Sequence, residues 1–117
     1  MDFAEMIKEK QSALQLRIRR ETRTLQKLVT PITDILDGQR IKYSVKFRCD
    51  RNNVPSAVMI DARKPKLSVK IKIQGYTIKE GSSQWTYKYR ENIKLSEAVE
   101  DLAEIIARSR VKTPCRK

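Results

Sequence analysis

The chain has 117 residues, the length of one ordinary domain, and 26 basic against 14 acidic side chains give it a net charge of +12. The absence of histidine excludes a histidine-based catalytic triad and an imidazole metal ligand, and two cysteines cannot form a four-cysteine zinc site. We expect a non-enzymatic protein without cofactor, metal or catalytic residues. No apolar run is long enough to span a membrane and no leader-like segment opens the chain, so the expected location is intracellular (cytoplasmic, nucleoid or nuclear, not secreted).

The excess positive charge lies in the middle of the chain. Residues 38–94 contain fourteen basic and four acidic side chains, whereas residues 1–37 and residues 95–117 each have a net charge of +1. A strongly basic segment favours a polyanionic partner, so the structure of this segment decides what the charge can do.

A long helix is predicted over residues 3–29. Asp2 is a suitable N-cap, and apolar side chains recur at helical spacing at Phe3, Ile7, Leu14, Ile18, Leu25 and Leu28. Thr30 and Pro31 predict either a second short helix or a kinked continuation over 31–37, because proline favours the first turn of a helix. Gly38 is a natural end point.

Four strands follow in the predicted order. Apolar and polar residues alternate over 41–48, a continuous apolar run covers 57–60, and alternation resumes over 66–74. The alternation changes parity after Gly75, which we interpret as a β-bulge. The last strand, 84–90, carries Trp85, Tyr87 and Tyr89 at alternate positions.

A final helix is predicted over 97–110, capped by Ser96. The predicted fold class is α+β: a four-stranded antiparallel meander with a long N-terminal helix and a C-terminal helix (α-β-β-β-β-α), both on one face of the sheet. We predict one domain over 1–111, with a helical segment at 1–38, a sheet at 40–91 and a helix at 95–110, followed by a basic tail at 112–117.

The most informative predicted feature is a basic face of the sheet. In the first, third and fourth predicted strands the odd-numbered residues are apolar and the even-numbered residues are mostly basic. Packing the odd residues on the helices leaves an even face that a phosphate backbone would neutralise, although a solvated face is the alternative. The predicted nucleic-acid-binding residues are Lys42, Lys46, Arg48, Lys66, Lys70, Lys72, Lys88 and Arg90.

Two further groups of residues admit two interpretations each. Trp85, Tyr87 and Tyr89 are either a base-stacking platform or part of the core, and burial statistics favour the core. The first helix carries basic side chains that either form secondary phosphate contacts or lie on a solvated outer face, which is slightly favoured: Arg17, Arg20, Arg23 and Lys27.

The cysteines and the acidic residues of the middle segment have simpler explanations. Cys49 and Cys115 have no metal-ligand spacing and are predicted to be free thiols in a reducing compartment. The four carboxylates of the middle segment show no nuclease-like spacing and are attributed to turns: Asp50, Asp61, Glu80 and Glu91.

In element order, residues 41–109 resemble the Whirly-type and related transcription-coactivator single-stranded-DNA-binding families. The segment Asn92–Ile106, NIKLSEAVEDLAEII, is similar to their junction between the last strand and the helix. The resemblance implies a dimer that holds a single strand by charge and stacking. The apolar stripe of the first helix also suits a homodimer, although it is interrupted at 10–12 and 20–24 and is not a sustained heptad pattern.

The leading hypothesis is a non-enzymatic protein that binds single-stranded DNA or RNA, mainly by contacts to the phosphate backbone. The alternative is a small protein-interaction factor, an inhibitor or assembly subunit, that docks an acidic protein surface through the same basic face. Binding to an anionic membrane is disfavoured because the basic residues are predicted on a sheet and not on an insertion helix.

Overall fold

The computed structural model describes residues 2–82 and 84–111 of the chain. Five strands pair antiparallel in chain order, which confirms the predicted α+β class but not the predicted number of four strands. The elements are α1 (Phe3–Gly38), β1 (Tyr43–Cys49), β2 (Pro55–Arg63), β3 (Lys66–Lys72), β4 (Gly75–Gly81), β5 (Thr86–Ile93) and α2 (Leu95–Arg110).

The extra strand arises from a tight hairpin at the position where a bulge was predicted. Lys72 pairs with Gly75, so Ile73 and Gln74 form a two-residue turn between β3 and β4. Across such a turn an even-numbered residue pairs with an odd-numbered one, so the buried positions are odd-numbered in β3 and even-numbered in β4. Gly75 has φ +154°, and a Cβ there would lie 2.9 Å from the backbone of β5, so the close approach of β5 requires glycine.

Helix α1 continues through Pro31, so of the two predicted alternatives the continuation over 31–37 is observed and the separate second helix is not. Buried side chains lie on both sides of the proline, including Leu25 and Leu36, and their packing on the sheet stabilises the helix despite the backbone hydrogen bond that proline cannot form. Thr30 does not cap a new helix but donates its hydroxyl to the Gln26 carbonyl at 2.8 Å. The predicted cap at Asp2 is confirmed, since its carboxylate accepts from the Ala4 N–H at 3.4 Å.

Helix α2 begins one residue before the predicted cap. Ser96 lies inside the first turn, so its prediction as N-cap is wrong, and Lys94 occupies the cap position without a side-chain hydrogen bond. Glu97 in the first turn and Arg108 and Arg110 in the last turn complement the helix dipole. This charge order stabilises the ends of the helix in place of a capping side chain.

The core lies between the two helices and one face of the sheet. Helix α1 packs on β2 and β3, and α2 packs on β4. The Tyr76 hydroxyl donates to the Leu28 carbonyl of α1 at 2.7 Å, and burial raises the pKa of this tyrosine. The fully buried side chains, each worth about 1.5–3 kcal/mol by burial, are Leu25, Ile32, Leu36, Val58, Ile60, Leu67, Val69, Ile71, Ile78, Leu102 and Ile105.

The molecule is elongated because α1 is much longer than the sheet that it covers. The principal extents are 75 × 28 × 22 Å. Leu25 is the first buried residue of α1, so residues 3–24 extend past the edge of the core. The predicted basic tail at 112–117 lies outside the described residues.

Candidate nucleic-acid interface

One face of the sheet is covered by the helices and the other is not. Because side chains alternate along each strand, the residues between the buried positions point away from α1 and α2. Within the described residues neither helix crosses this surface, which we call the open face. Its side chains belong to Ser44, Lys46, Arg48, Ala57, Met59, Asp61, Arg63, Lys66, Ser68, Lys70, Lys72, Thr77, Lys79, Tyr89 and Glu91.

Seven of these side chains are basic and two are acidic. The structure brings together five of the eight predicted binding residues on the open face, and Lys42 lies just before β1. Arg63 and Lys79 were missed by the sequence analysis. Lys79 has an odd number, so it joins the even-numbered lysines only because the β3–β4 hairpin reverses the parity. The five predicted residues on this face are Lys46, Arg48, Lys66, Lys70 and Lys72.

The basic side chains of the open face are regularly spaced, both across neighbouring strands and along a single strand. Lys46 and Lys70 flank Met59 on neighbouring strands, which puts their backbones roughly 10 Å apart. Lys72 follows Lys70 on the same face at about 7 Å along the strand. Adjacent cations at these spacings repel one another unless an anion lies between them.

The two carboxylates of the open face do not neutralise it. Asp61 accepts a hydrogen bond from the Ser68 hydroxyl at 2.6 Å, and Glu91 accepts one from the Tyr89 hydroxyl at 2.7 Å. Within the described residues, the ion pairs involve only Lys88, Arg90 and Arg108 among the basic side chains. The lysines and arginines of the open face are therefore available to an external anion.

Lys88 and Arg90 lie on the covered face, opposite to their predicted position. Lys88 Nζ lies 2.8 Å from Glu104 and 3.2 Å from Asp101, whose side chain is only 4% exposed. Arg90 contacts Asp101 at 2.9 Å and Glu97 at 2.6 Å. The hydrogen bond between Lys88 and Glu104 raises the pKa of the lysine and lowers the pKa of the carboxyl.

The spacing of acidic residues on α2 explains this reversal. Glu97, Asp101 and Glu104 recur at intervals of four and three, which places them on one face of the helix. Two register shifts between β4 and β5 then set Lys88 and Arg90 opposite Glu80 and Ile78 on the covered side. The acidic spacing was present in the sequence and is the signal that could have placed these two cations.

The aromatic residues of the β5 region are exposed, so the favoured prediction that they belong to the core is wrong. The exposed fractions of Trp85, Tyr87 and Tyr89 are 69%, 72% and 54%. Tyr89 lies on the open face opposite Lys79, and its hydrogen bond to Glu91 raises the pKa of its hydroxyl. An exposed ring beside a lysine suits base stacking combined with phosphate contact.

A second basic concavity, the terminal cleft, adjoins the open face. It lies where the α1–β1 connection, the β2–β3 hairpin and the end of α2 meet, and its volume is about 660 Å³. Arg63 and Lys66 belong to both the cleft and the open face. The charged and aromatic residues that line the cleft are Arg40, Arg63, Lys64, Lys66, Glu80, Tyr87, Arg108 and Arg110.

Of the four basic residues on α1 that were predicted to form secondary phosphate contacts, three lie together. Arg20, Arg23 and Lys27 line one shallow cleft of about 420 Å³, as their spacing predicts, but Arg17 is not among its lining residues. This surface lies on α1 and is separate from the open face.

Of the four carboxylates that were attributed to turns, only one lies in a turn. Asp50 does organise a turn, accepting from the N–H groups of Asn52 and Val54 at 2.8 and 3.1 Å. The other three carboxylates attributed to turns lie in strands: Asp61 in β2, Glu80 in β4 and Glu91 in β5. Cys49 is an exposed free thiol at the end of β1, and Cys115 lies outside the described residues.

The described residues contain neither a metal-binding cluster nor a membrane-spanning helix. No group of acidic and cysteine side chains in residues 2–82 and 84–111 is arranged to hold a metal ion. Neither helix in this part of the chain has the length and apolar character needed to cross a membrane.

Comparison of the chain with family models, curated proteins and solved structures finds no match. The resemblance to Whirly-type single-stranded-DNA-binding domains therefore stays a prediction, as does the homodimer that it implies.

Proposed function

We propose that this protein is non-enzymatic and binds single-stranded DNA or RNA across the open face of its sheet. The observation that carries the proposal is the composition of that face, where seven basic side chains, none of them in an ion pair within the described residues, stand against two carboxylates. Lys46, Lys70 and Lys72 contact phosphates in this proposal. The expected affinity comes mainly from neutralised phosphates and released counterions, with little dependence on base sequence.

Tyr89 supports a single strand over a duplex as the ligand. Its ring lies opposite Lys79 on the edge strand of the open face and is more than half exposed. Unpaired bases can stack on such a ring, whereas the bases of a duplex are already stacked on each other. Arg63 and Lys79 extend the phosphate contacts beyond the residues predicted from the sequence, and Lys88 and Arg90 are left out.

The test is a salt-resolved binding comparison with single-stranded DNA, single-stranded RNA and duplex DNA of equal length. We expect the single strands to bind more tightly, and affinity to fall steeply with salt, by about 0.7 in the log–log slope for each neutralised phosphate of a single strand. Affinity that barely changes with salt would contradict the phosphate mechanism.

A nuclease-controlled pull-down tests the alternative partner class. Loss of all captured material after nuclease treatment is the expected result. A protein partner that survives nuclease treatment and is lost on Lys70→Glu would instead favour docking of an acidic protein surface, because a single charge reversal would then break a specific protein contact.

A further inference from the structure

The terminal cleft concentrates cationic side chains from three separate segments of the chain. Arg40 comes from the α1–β1 connection, Lys64 from the β2–β3 hairpin and Arg110 from the last turn of α2. The cleft volume of about 660 Å³ is in the range of small-ligand sites. Its size and composition therefore suit a compact anion.

Only part of this charge is balanced within the described residues. Glu80 is the one carboxylate that lines the cleft, and it is engaged by Arg108 at 2.8 Å. Arg110 is held by the side chain and carbonyl of Gln39 at 2.6 and 2.9 Å. The hydrogen bonds and ion pairs of the described residues do not occupy the other four cations, which are Arg40, Arg63, Lys64 and Lys66.

The backbone at Arg40 also favours a role for this side chain. After the end of α1, the Ile41 N–H bonds to the Leu36 carbonyl at 2.9 Å and the Arg40 N–H to the Asp37 carbonyl at 3.1 Å. This cap places Arg40 at φ 58°, a left-handed conformation in which glycine is the usual residue. The chain thus keeps a cation that lines the cleft in a position where glycine would be less strained.

We propose that the terminal cleft binds the phosphorylated end of a nucleic-acid strand. The inference rests on the proposed function, because Arg63 and Lys66 join the cleft to the open face on which the strand would lie. A terminal phosphomonoester carries a charge of about −1.5 to −2 at pH 7, compared with about −1 for each internal diester. Cations that converge from several sides favour the group of higher charge, and Tyr87, which lines the cleft, offers a ring for the terminal base.

The test compares oligothymidylates that differ only at their ends: hydroxyl at both ends, phosphate at the 5′ end, or phosphate at the 3′ end. We expect one phosphorylated form to bind about tenfold more tightly than the hydroxyl form, the scale of one charge-assisted hydrogen bond. A free nucleoside diphosphate should abolish this preference and weaken the hydroxyl-ended strand only slightly, because Arg63 and Lys66 are the only cations that the cleft shares with the open face.

Two matched double variants separate the cleft from the open face. Arg40→Gly with Lys64→Gln should remove the end preference and leave the affinity for the hydroxyl-ended strand nearly unchanged. Lys46→Gln with Lys70→Gln removes the same number of charges and should weaken all three oligonucleotides equally while the end preference persists.

The outcomes distinguish the two proposals. Equal affinity for hydroxyl-ended and phosphate-ended strands overturns the cleft proposal and leaves the proposed function standing. Failure of every oligonucleotide to bind overturns the proposed function and the cleft proposal with it. A nucleoside diphosphate that binds the cleft while the oligonucleotides show no end preference identifies a site for free nucleotides and overturns the assignment to a strand end.

Discussion

At the residue scale, the backbone of Arg40 favours glycine for folding, whereas its side chain serves the proposed binding site. Its left-handed backbone suits glycine, and its side chain lines the terminal cleft. We predict that Arg40→Gly raises the free energy of unfolding by about 1 kcal/mol, because relief of the left-handed strain exceeds the loss of an exposed side chain. Thermal unfolding measures the change, and Lys64→Gln is the control that removes a cleft cation without a change in backbone strain. A lower melting temperature for Arg40→Gly would mean that the arginine makes stabilising contacts.

Tyr89 provides the residue-scale test of stacking. We predict that Tyr89→Ala weakens binding to single strands by about 1–3 kcal/mol, since the ring supplies a stacking surface, whereas Tyr89→Phe keeps most of the affinity. The free energy of unfolding should change little in both variants because the side chain is more than half exposed. Equal losses of affinity in both variants would show that the hydroxyl, and not the ring, contacts the ligand.

At the scale of the elements, the contact between β5 and α2 depends on an ionic network. The hydrogen bond from Lys88 holds the pKa of Glu104 below the ordinary value of 4.5 and raises that of Lys88 above 10.5. The depressed carboxyl pKa contributes stability that is present above pH 4.5 and is lost as the pH falls through the folded-state pKa. The raised lysine pKa contributes stability that is present below pH 10.5 and is lost as the pH rises through its folded-state value.

We therefore predict that Glu104→Gln lowers the melting temperature at neutral pH, and that the difference from the unchanged protein disappears in acid. Glu100→Gln is the matched control, because Glu100 is exposed on the same helix and forms no ion pair within the described residues. Thermal melts across the acid range measure both variants. A difference that persists at the lowest pH would assign the effect to packing.

The projecting part of α1 is the element that supports the predicted homodimer. Its stripe of Phe3, Ile7, Leu14 and Ile18 lies on the same side of the helix as the core residues Leu25 and Leu36 but extends past the sheet. Lys8 and Arg19 flank the stripe on one side, and Lys10 and Arg17 flank it on the other. Two such stripes in contact bury apolar surface but bring like charges together.

We predict that dimers formed through this stripe become stronger as salt rises, because screening reduces the repulsion between the flanking cations. Ile7→Ser with Leu14→Ser should abolish the association. Leu16→Ser, on the opposite and exposed side of the helix, is the control that should leave it unchanged. Sedimentation equilibrium at low and high salt measures the association, and a monomer in both conditions would contradict the homodimer.

The sequence predicted the kinds of element well and their connections less well. The alternation in β1 and β3 and the long apolar stripe of α1 identified these elements because each pattern belongs to one continuous segment. The β3–β4 hairpin was not predicted because Ile73 continues the apolar alternation of β3. In the structure this side chain is 58% exposed in the turn. The five correctly placed basic residues lie on β1 and β3, where the alternation within each strand was enough to assign its side chains to a face.

The alternation of residues in β5 does not by itself show which side chains lie on the open face and which on the covered face. Its aromatic and basic residues alternate in a way that suits either face, and the choice depends on which side meets α2. Asp101 decides it, because a nearly buried carboxylate requires cationic partners and Lys88 and Arg90 provide them. A prediction of this kind needs the contact between two elements, β5 and α2, and the alternation within one strand does not contain it.

At the scale of the whole molecule, the net charge of +12 separates into a part used within the fold and a part that faces solvent. Lys88, Arg90 and Arg108 stabilise the contact between the sheet and α2. Within the described residues, the cations of the open face and the cleft residues Arg40 and Lys64 form no ion pair. Two lysines of equal formal charge should therefore behave in opposite ways, and Lys70 and Lys88 form the matched pair.

We predict that Lys70→Gln reduces the salt slope of single-strand binding by about 0.7 and leaves the melting temperature nearly unchanged, because it removes one phosphate contact and because Lys70 is half-buried but forms no ion pair within the described residues. Lys88→Gln should lower the melting temperature and leave the salt slope unchanged, because it removes a partner of buried Asp101 and Arg90 alone then pairs that carboxylate. Anisotropy titrations across salt and thermal melts of both variants measure the four quantities. A reduced slope for Lys88→Gln would place the nucleic acid on the covered side of β5, and a destabilised Lys70→Gln would show that the open face contributes to folding rather than to binding.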